Sequence, residues 1–164
     1  NGNGVGKKFM KNGFTLIELM VAIGIMAVLT GMAVFNFNQS RLRARDVQRK
    51  NDIKQLQNAL ELYKNDTNSY PQGTGFQDSL MSPVSYIRAI FGDPRGSEWV
   101  DYQYIPAADL KTYYLQACLE NSADSSKTTN VALCDLFTAD TSNQCRCGKD
   151  LSNKTGVMYI VSQP

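Results

Sequence analysis

Histidine is absent from this 164-residue chain. That removes the commonest general base near neutral pH. The scattered acids and serines form no recognisable triad and no G-x-S-x-G elbow, so the composition argues against an enzyme. No internal repeat is visible, and neither Gly nor Pro interrupts the stretch between Gln39 and Lys64. Excess charge of one sign is also missing. The formal net charge is +2, too small to make nucleic acid the main partner. Basic residues are absent between Phe14 and Arg41, and the run Phe14–Phe35 (FTLIELMVAIGIMAVLTGMAVF) holds a single charge, Glu18.

That run is the most informative part of what is present. At about 1.5 Å per helical residue it spans roughly 33 Å, enough to cross a hydrocarbon core of about 30 Å. An ionised side chain inside it costs about 2.5–3.5 kcal/mol on insertion scales and calls for a partner. The segment contains no cation, so the natural candidate is a positive charge on another copy of the chain. The bland alternative is a near-terminal Glu18 that snorkels to the membrane surface.

The residues ahead of the run sharpen this reading. Lys7, Lys8 and Lys11 precede Asn12-Gly13, followed by Phe14-Thr15-Leu16-Ile17-Glu18. In these residues the chain resembles the type IV prepilin family, which includes type IV pilins and the pseudopilins of type II secretion. The resemblance implies leader cleavage between Gly13 and Phe14 by a prepilin peptidase, then N-methylation of Phe14 by the same class of enzyme. It implies filament assembly in which Glu18 pairs with the terminal amine of Phe14 on a neighbour. An ordinary secretory signal is cut after its apolar region; here the apolar segment would stay in the product. Cleavage frees an α-amine with an ordinary pKa near 8, which methylation leaves able to carry charge. Residues 1–13 are therefore set apart as a leader. No initiator Met opens the sequence, and Met10-Lys11-Asn12-Gly13 would itself make a short leader.

The helical pattern continues beyond the apolar run. Ile53, Leu56, Leu60 and Tyr63 fall on one helical face, and Ala59 and Leu62 are expected to widen it. One helix from about Phe14 to Lys64 would be roughly 75 Å long, stopped by Asp66-Thr67-Asn68-Ser69-Tyr70-Pro71. The stretch Asp52–Pro71 closely resembles the end of the long helix in protein G-like pseudopilins of type II secretion, although many pilins carry a similar one. Gly24 and Gly31 could loosen the helix or allow close packing of membrane helices.

Gln72–Pro83 reads as a loop, and Ser82-Pro83 is expected to cap a short helix over Val84–Phe91. Three strands are predicted, Trp99–Ile105, Thr112–Leu119 and Val157–Val161, with Asn121–Thr155 a polar surface excursion. The predicted fold is α+β, a pilin-like lollipop: a leader (1–13), a membrane-spanning and filament-core helix (14–37), its amphipathic continuation (38–66), and a globular domain (67–164) with a small antiparallel sheet.

Cys118, Cys134, Cys145 and Cys147 allow three pairings. Cys118–Cys147 with Cys134–Cys145 is favoured because a bridge from the second strand to the return into the last would close the polar loop. The spacings are not those of paired C-x2-C zinc ligands. Protein G-like pseudopilins bind calcium in a C-terminal loop; Asp135, Asp140 and Asp150 are weak candidates for such ligands, with no D-x-D-x-D-G loop present.

Residues 41–54 carry six basic and two acidic residues. This run could meet anionic headgroups, acidic faces of adjoining subunits, or DNA. It also leaves the positive-inside rule undecided. The leader and the crowded cysteines favour a C-terminal domain outside the cytoplasmic membrane, since cysteine-rich small domains suit oxidising compartments. The function implied is that of a structural subunit drawn from membrane lipid into a homopolymer. Its partners would be a platform protein, an ATPase and other minor pseudopilins, and its end point a periplasmic or extracellular filament. A surface pilin (adhesion, motility or DNA uptake) and a non-assembling membrane-anchored binding protein are the alternatives.

Overall fold

The computed structural model describes residues 13–137, 145–149 and 154–163, apart from the side chains of residues 34–36. Two compact units divide at Gln39 and Ser40. One α-helix, α1 (Leu16–Thr67), contributes to both. In the first unit it is apolar from Leu16 to Ala33 apart from Glu18 and Thr30. In the second it is amphipathic, and the rest of the fold is built on that half.

Helix α1 ends as the turn-forming residues require. The Asn68 N–H donates to the Lys64 carbonyl at 2.7 Å, and Asn68 itself adopts φ 60°. A left-handed residue just past the last turn satisfies a carbonyl that would otherwise be orphaned, and Asn tolerates that conformation better than most residues.

The short helix lies elsewhere than expected. α2 is Phe76–Met81, inside the segment read as loop, and no helix forms over Val84–Phe91. Ser82 is extended (φ −147°, ψ 139°), as the residue before a proline tends to be, and the Ser82–Pro83 peptide is cis. The following chain is held by point contacts instead. The N–H groups of Tyr86 and Ile87 both donate to the Leu80 carbonyl, and the Gln77 side-chain amide pairs with the Phe91 backbone at 2.7 and 3.0 Å.

Four strands form one antiparallel sheet in the order β1-β2-β4-β3: β1 (Gln103–Pro106), β2 (Tyr113–Leu119), β3 (Arg146–Cys147) and β4 (Gly156–Ser162). β1 starts later than the alternating residues suggest. Trp99 leaves the ladder to donate its indole N–H to the Cys118 carbonyl at 2.8 Å, and the Tyr102 hydroxyl reaches Asp52 at 2.7 Å. β3 and a four-residue helix, α3 (Val131–Cys134), fall within the presumed surface excursion.

Central strand β2 is buried on both faces. Tyr113, Leu115 and Ala117 join Ile53, Leu56, Ala59 and Leu60 of α1 in the main core. Cys118 and Met158 join Trp99, Cys134, Cys145 and Cys147 in a second cluster. The bridges are Cys118–Cys147 and Cys134–Cys145, so a disulfide layer covers the sheet face turned away from the helix. Gly156 sits under that layer. A Cβ there would approach the Leu119 carbonyl oxygen at 2.6 Å, Cys118 Sγ at 2.7 Å and Trp99 Cζ2 at 2.8 Å. Leu62 does not join the core. It is 54% exposed because, at about 100° per residue, it falls opposite Ile53 on the helix.

Candidate functional site

The first unit holds the candidate assembly site. Thr15 caps α1, and Glu18 occupies its third position. The Thr15 N–H and Oγ1–H both donate to Glu18 Oε2, at 2.9 and 2.8 Å, while the Glu18 N–H donates to Thr15 Oγ1 at 3.3 Å. This is a capping box, each residue satisfying an orphan donor of the other. Its T-x-x-E pattern was legible in Thr15-Leu16-Ile17-Glu18, and reading Glu18 only as a charge in need of a cation passed it over. Both bonds end on Oε2, so Oε1 remains available to a further donor.

Around this carboxylate the surface is apolar. The large side chains from Leu16 to Met32 are between 54% and 75% exposed, with no preferred side. A helix apolar all round belongs in lipid or in a larger core, and α1 is long and apolar enough to cross a membrane. Thr30 in this segment donates its hydroxyl to the Met26 carbonyl at 2.8 Å, so its polarity is satisfied within the helix. A Cβ added at Gly24 or Gly31 would meet nothing within 4 Å.

In the second unit half of the basic run, Arg45, Arg49 and Lys50, pairs with carboxylates of the same unit. Fully buried Arg49 donates to Asp93 at 2.6 and 2.9 Å, to Asp46 at 2.8 Å and to Glu120 at 2.9 Å. Arg45 grips Glu120 through two bonds at 2.6 and 2.7 Å, and Lys50 holds Asp124 at 2.7 Å. Asp46 also accepts the backbone N–H groups of Glu120 and Asn121. Arg49 lies four residues before Ile53 on the same face, and that spacing was the available signal. Burial alone would lower the pKa of Arg49, but Asp93, Glu120 and Asp46 together raise it. Burial would likewise raise that of Glu120, yet Arg45 and Arg49 hold it below the usual carboxylate range. Arg43 and Lys54 stay exposed.

Of the three calcium candidates, one lies among the described residues. Asp135 is an exposed residue following α3, and Asp140 and Asp150 lie outside the described residues. Among the described residues no group of three His, Cys, Asp or Glu could hold a metal ion. Gly13 and Phe14 precede the cap, with Phe14 91% exposed, and Lys7, Lys8 and Lys11 lie outside the described residues.

Residues 8–34 match the family described as the prokaryotic N-terminal methylation motif. Over 118 residues the chain is 33% identical to type II secretion system core protein G of Vibrio cholerae, an alignment covering 65% of this chain and 79% of the relative. The chain belongs to the type II secretion system core protein G family. Protein G of Escherichia coli is 32% identical over 102 residues, covering 55% of this chain and 70% of that one. Protein G of Klebsiella pneumoniae is 34% identical over 107 residues, with 58% and 74% covered. No solved structure matches the chain. A protein G-family chain with the methylation motif and an exposed apolar helix is a membrane-anchored pseudopilin, a structural protein of the type IV prepilin family.

Proposed function

We propose that this pseudopilin is stored in the cytoplasmic membrane, cut between Gly13 and Phe14, methylated on Phe14 and polymerised into the pseudopilus of a type II secretion system. The observation that carries the reading is the single carboxylate, Glu18, within an apolar helix that nothing in its own unit covers. In lipid that helix is solvated. In a filament the helices of sister subunits replace the lipid, and each Glu18 meets the cation newly exposed on a neighbour's Phe14.

The capping box gives this step its geometry. Thr15 holds Oε2 and so restricts the Glu18 rotamer, while Oε1 is left for the incoming ammonium. A pre-oriented acceptor loses less side-chain entropy when the charge pair forms. The pair then fixes axial register between helices that could otherwise slide. The C-terminal domain, stapled by two disulfides, forms the outer surface on the extracytoplasmic side. Prepilin peptidase, a platform protein, an assembly ATPase and minor pseudopilins are the partners this function requires, and the role is structural rather than catalytic.

Mass spectrometry of the chain purified from its native membrane tests the processing step. The expected product begins at Phe14 and is one methyl group heavier than the unmodified peptide. A chain that keeps its lysine-bearing leader and never enters filaments would overturn the proposal in favour of a simple anchored domain.

A further inference from the structure

Arg146 is held unusually firmly for a residue with nothing to do. It lies between Cys145 and Cys147, both buried and both in disulfides, to Cys134 and Cys118 respectively. The Met158 N–H donates to the Cys145 carbonyl at 2.9 Å, and Arg146 pairs with Val157 in the sheet register. Its backbone is therefore fixed on both sides. Yet half-buried Arg146 has no ion pair among the described residues, whereas Arg45, Arg49 and Arg95 all reach Glu120.

Arg146 lines a cleft of about 340 Å³ with Ser122, Lys127, Thr128 and Thr129. The wall opposite is also tied down. Lys127 Nζ donates to the Ser122 carbonyl at 2.9 Å, Thr128 N–H donates to the Met158 carbonyl at 2.8 Å, and Thr128 Oγ1 accepts the Ile160 N–H at 2.8 Å. Among the described residues no carboxylate lines the cleft, and the nearby Asp124 is already held by Lys50. The cleft thus gathers a guanidinium, an ammonium and hydroxyl groups, with no anion among the described residues that line it. Its volume sits at the small end of ligand pockets, about 300–1,000 Å³, and exceeds what a bare oxyanion needs.

We infer that this cleft is a binding site for a small oxyanion-bearing ligand, a phosphate or carboxylate group carried on a compact polar body of about hexose size. Arg146 supplies a planar pair of donors suited to two oxygens at once, and Lys127 supplies a point charge. The two disulfides fix the backbone that carries the guanidinium before the ligand arrives, which reduces the ordering cost of binding.

Isothermal titration of the full-length chain in neutral detergent, with inorganic phosphate, glucose 6-phosphate, glucuronate and glucose as probes, tests the site. Saturable binding of glucose 6-phosphate or glucuronate is expected, with glucose inert. Phosphate alone binding as tightly as its sugar ester would contradict the hexose-sized carrier. Arg146→Gln should weaken binding at least tenfold, and Lys127→Gln, which leaves β3 untouched, severalfold. Lys149→Gln, an exposed cation outside the cleft, should change it less than twofold. The inference is overturned if no anion saturates by about 10 mM, weaker than the millimolar range of ordinary weak ligands. It is equally overturned if glucose binds as well as its phosphate, or if Lys149→Gln acts as strongly as Arg146→Gln.

Discussion

Arg49 on α1 and Asp93 in the loop before β1 face each other through two hydrogen bonds of 2.6 and 2.9 Å, with neither side chain more than 1% exposed. This pair sits at the centre of a closed group in which Arg49 also holds Asp46 and Glu120. One buried cation of the helix is thereby shared by three carboxylates, from the helix, a loop and the sheet edge.

Removing the central cation leaves three carboxylates buried without it. Breaking such a group from one side costs about 3–5 kcal/mol. Arg49→Met should therefore destabilise the second unit by about that much in urea unfolding of the full chain, followed by Trp99 fluorescence. A loss below about 1 kcal/mol would place Arg49 with ordinary surface ion pairs.

Acid should act through the same group. Against burial, which would raise both, Arg45 and Arg49 hold the Glu120 pKa below its ordinary value and Lys50 lowers that of Asp124. A depressed carboxylate contributes stability that is complete above its unfolded pKa and disappears as pH falls through the folded one. Stability should thus hold above about pH 4.5 and fall below it. Asp52 runs the other way: burial raises its pKa, against the Tyr102 hydrogen bond, so its protonation on acidification offsets part of the loss. Glu120→Gln should flatten the acid limb of a stability–pH curve, and an unchanged slope would remove Glu120 from the account.

At Gly156 a side chain has no room. Three contacts at 2.6–2.8 Å would follow from a single Cβ, one of them to backbone oxygen. Gly156→Ala should cost at least about 1–3 kcal/mol by overpacking and disturb the near-ultraviolet signal of Trp99. A neutral substitution would mean that β4 can move away from β2.

The two bridges should differ in weight. Cys118–Cys147 closes 29 residues and Cys134–Cys145 closes 11. Loop-closure entropy gives about 2–4 kcal/mol for each, with the longer loop higher. Replacing Cys118 and Cys147 together by Ser should lower stability more than replacing Cys134 and Cys145, as judged by denaturant midpoints.

Much of this was legible in the order of residues. The apolar run, the face set by Ile53, Leu56 and Leu60, and the turn at Asn68 obey local rules, and local rules can be read without a structure. β2 and β4 were legible from their β-branched and aromatic residues. Several of the misses share a cause, which is that partners outside the local element decided them. Trp99 and Tyr102 have strand character but are recruited by Cys118 and Asp52. Val84–Phe91 is tied by Gln77 and Leu80 rather than by its own turns. The partners of Arg45, Arg49 and Lys50 were not legible because, Asp46 apart, their carboxylates lie more than forty residues away along the chain. At the candidate assembly site, Glu18 was legible as a charge within an apolar run, while Thr15 was overlooked because one side chain was given one role.

Replacing Glu18 by Leu in the intact prepilin, and counting filaments by electron microscopy alongside mass spectrometry of the N-terminus, tests the central claim most directly. The account predicts a chain that is inserted, cut at Gly13/Phe14 and stable, yet yields few or no ordered filaments. Wild-type numbers of regular filaments from Glu18→Leu would contradict it.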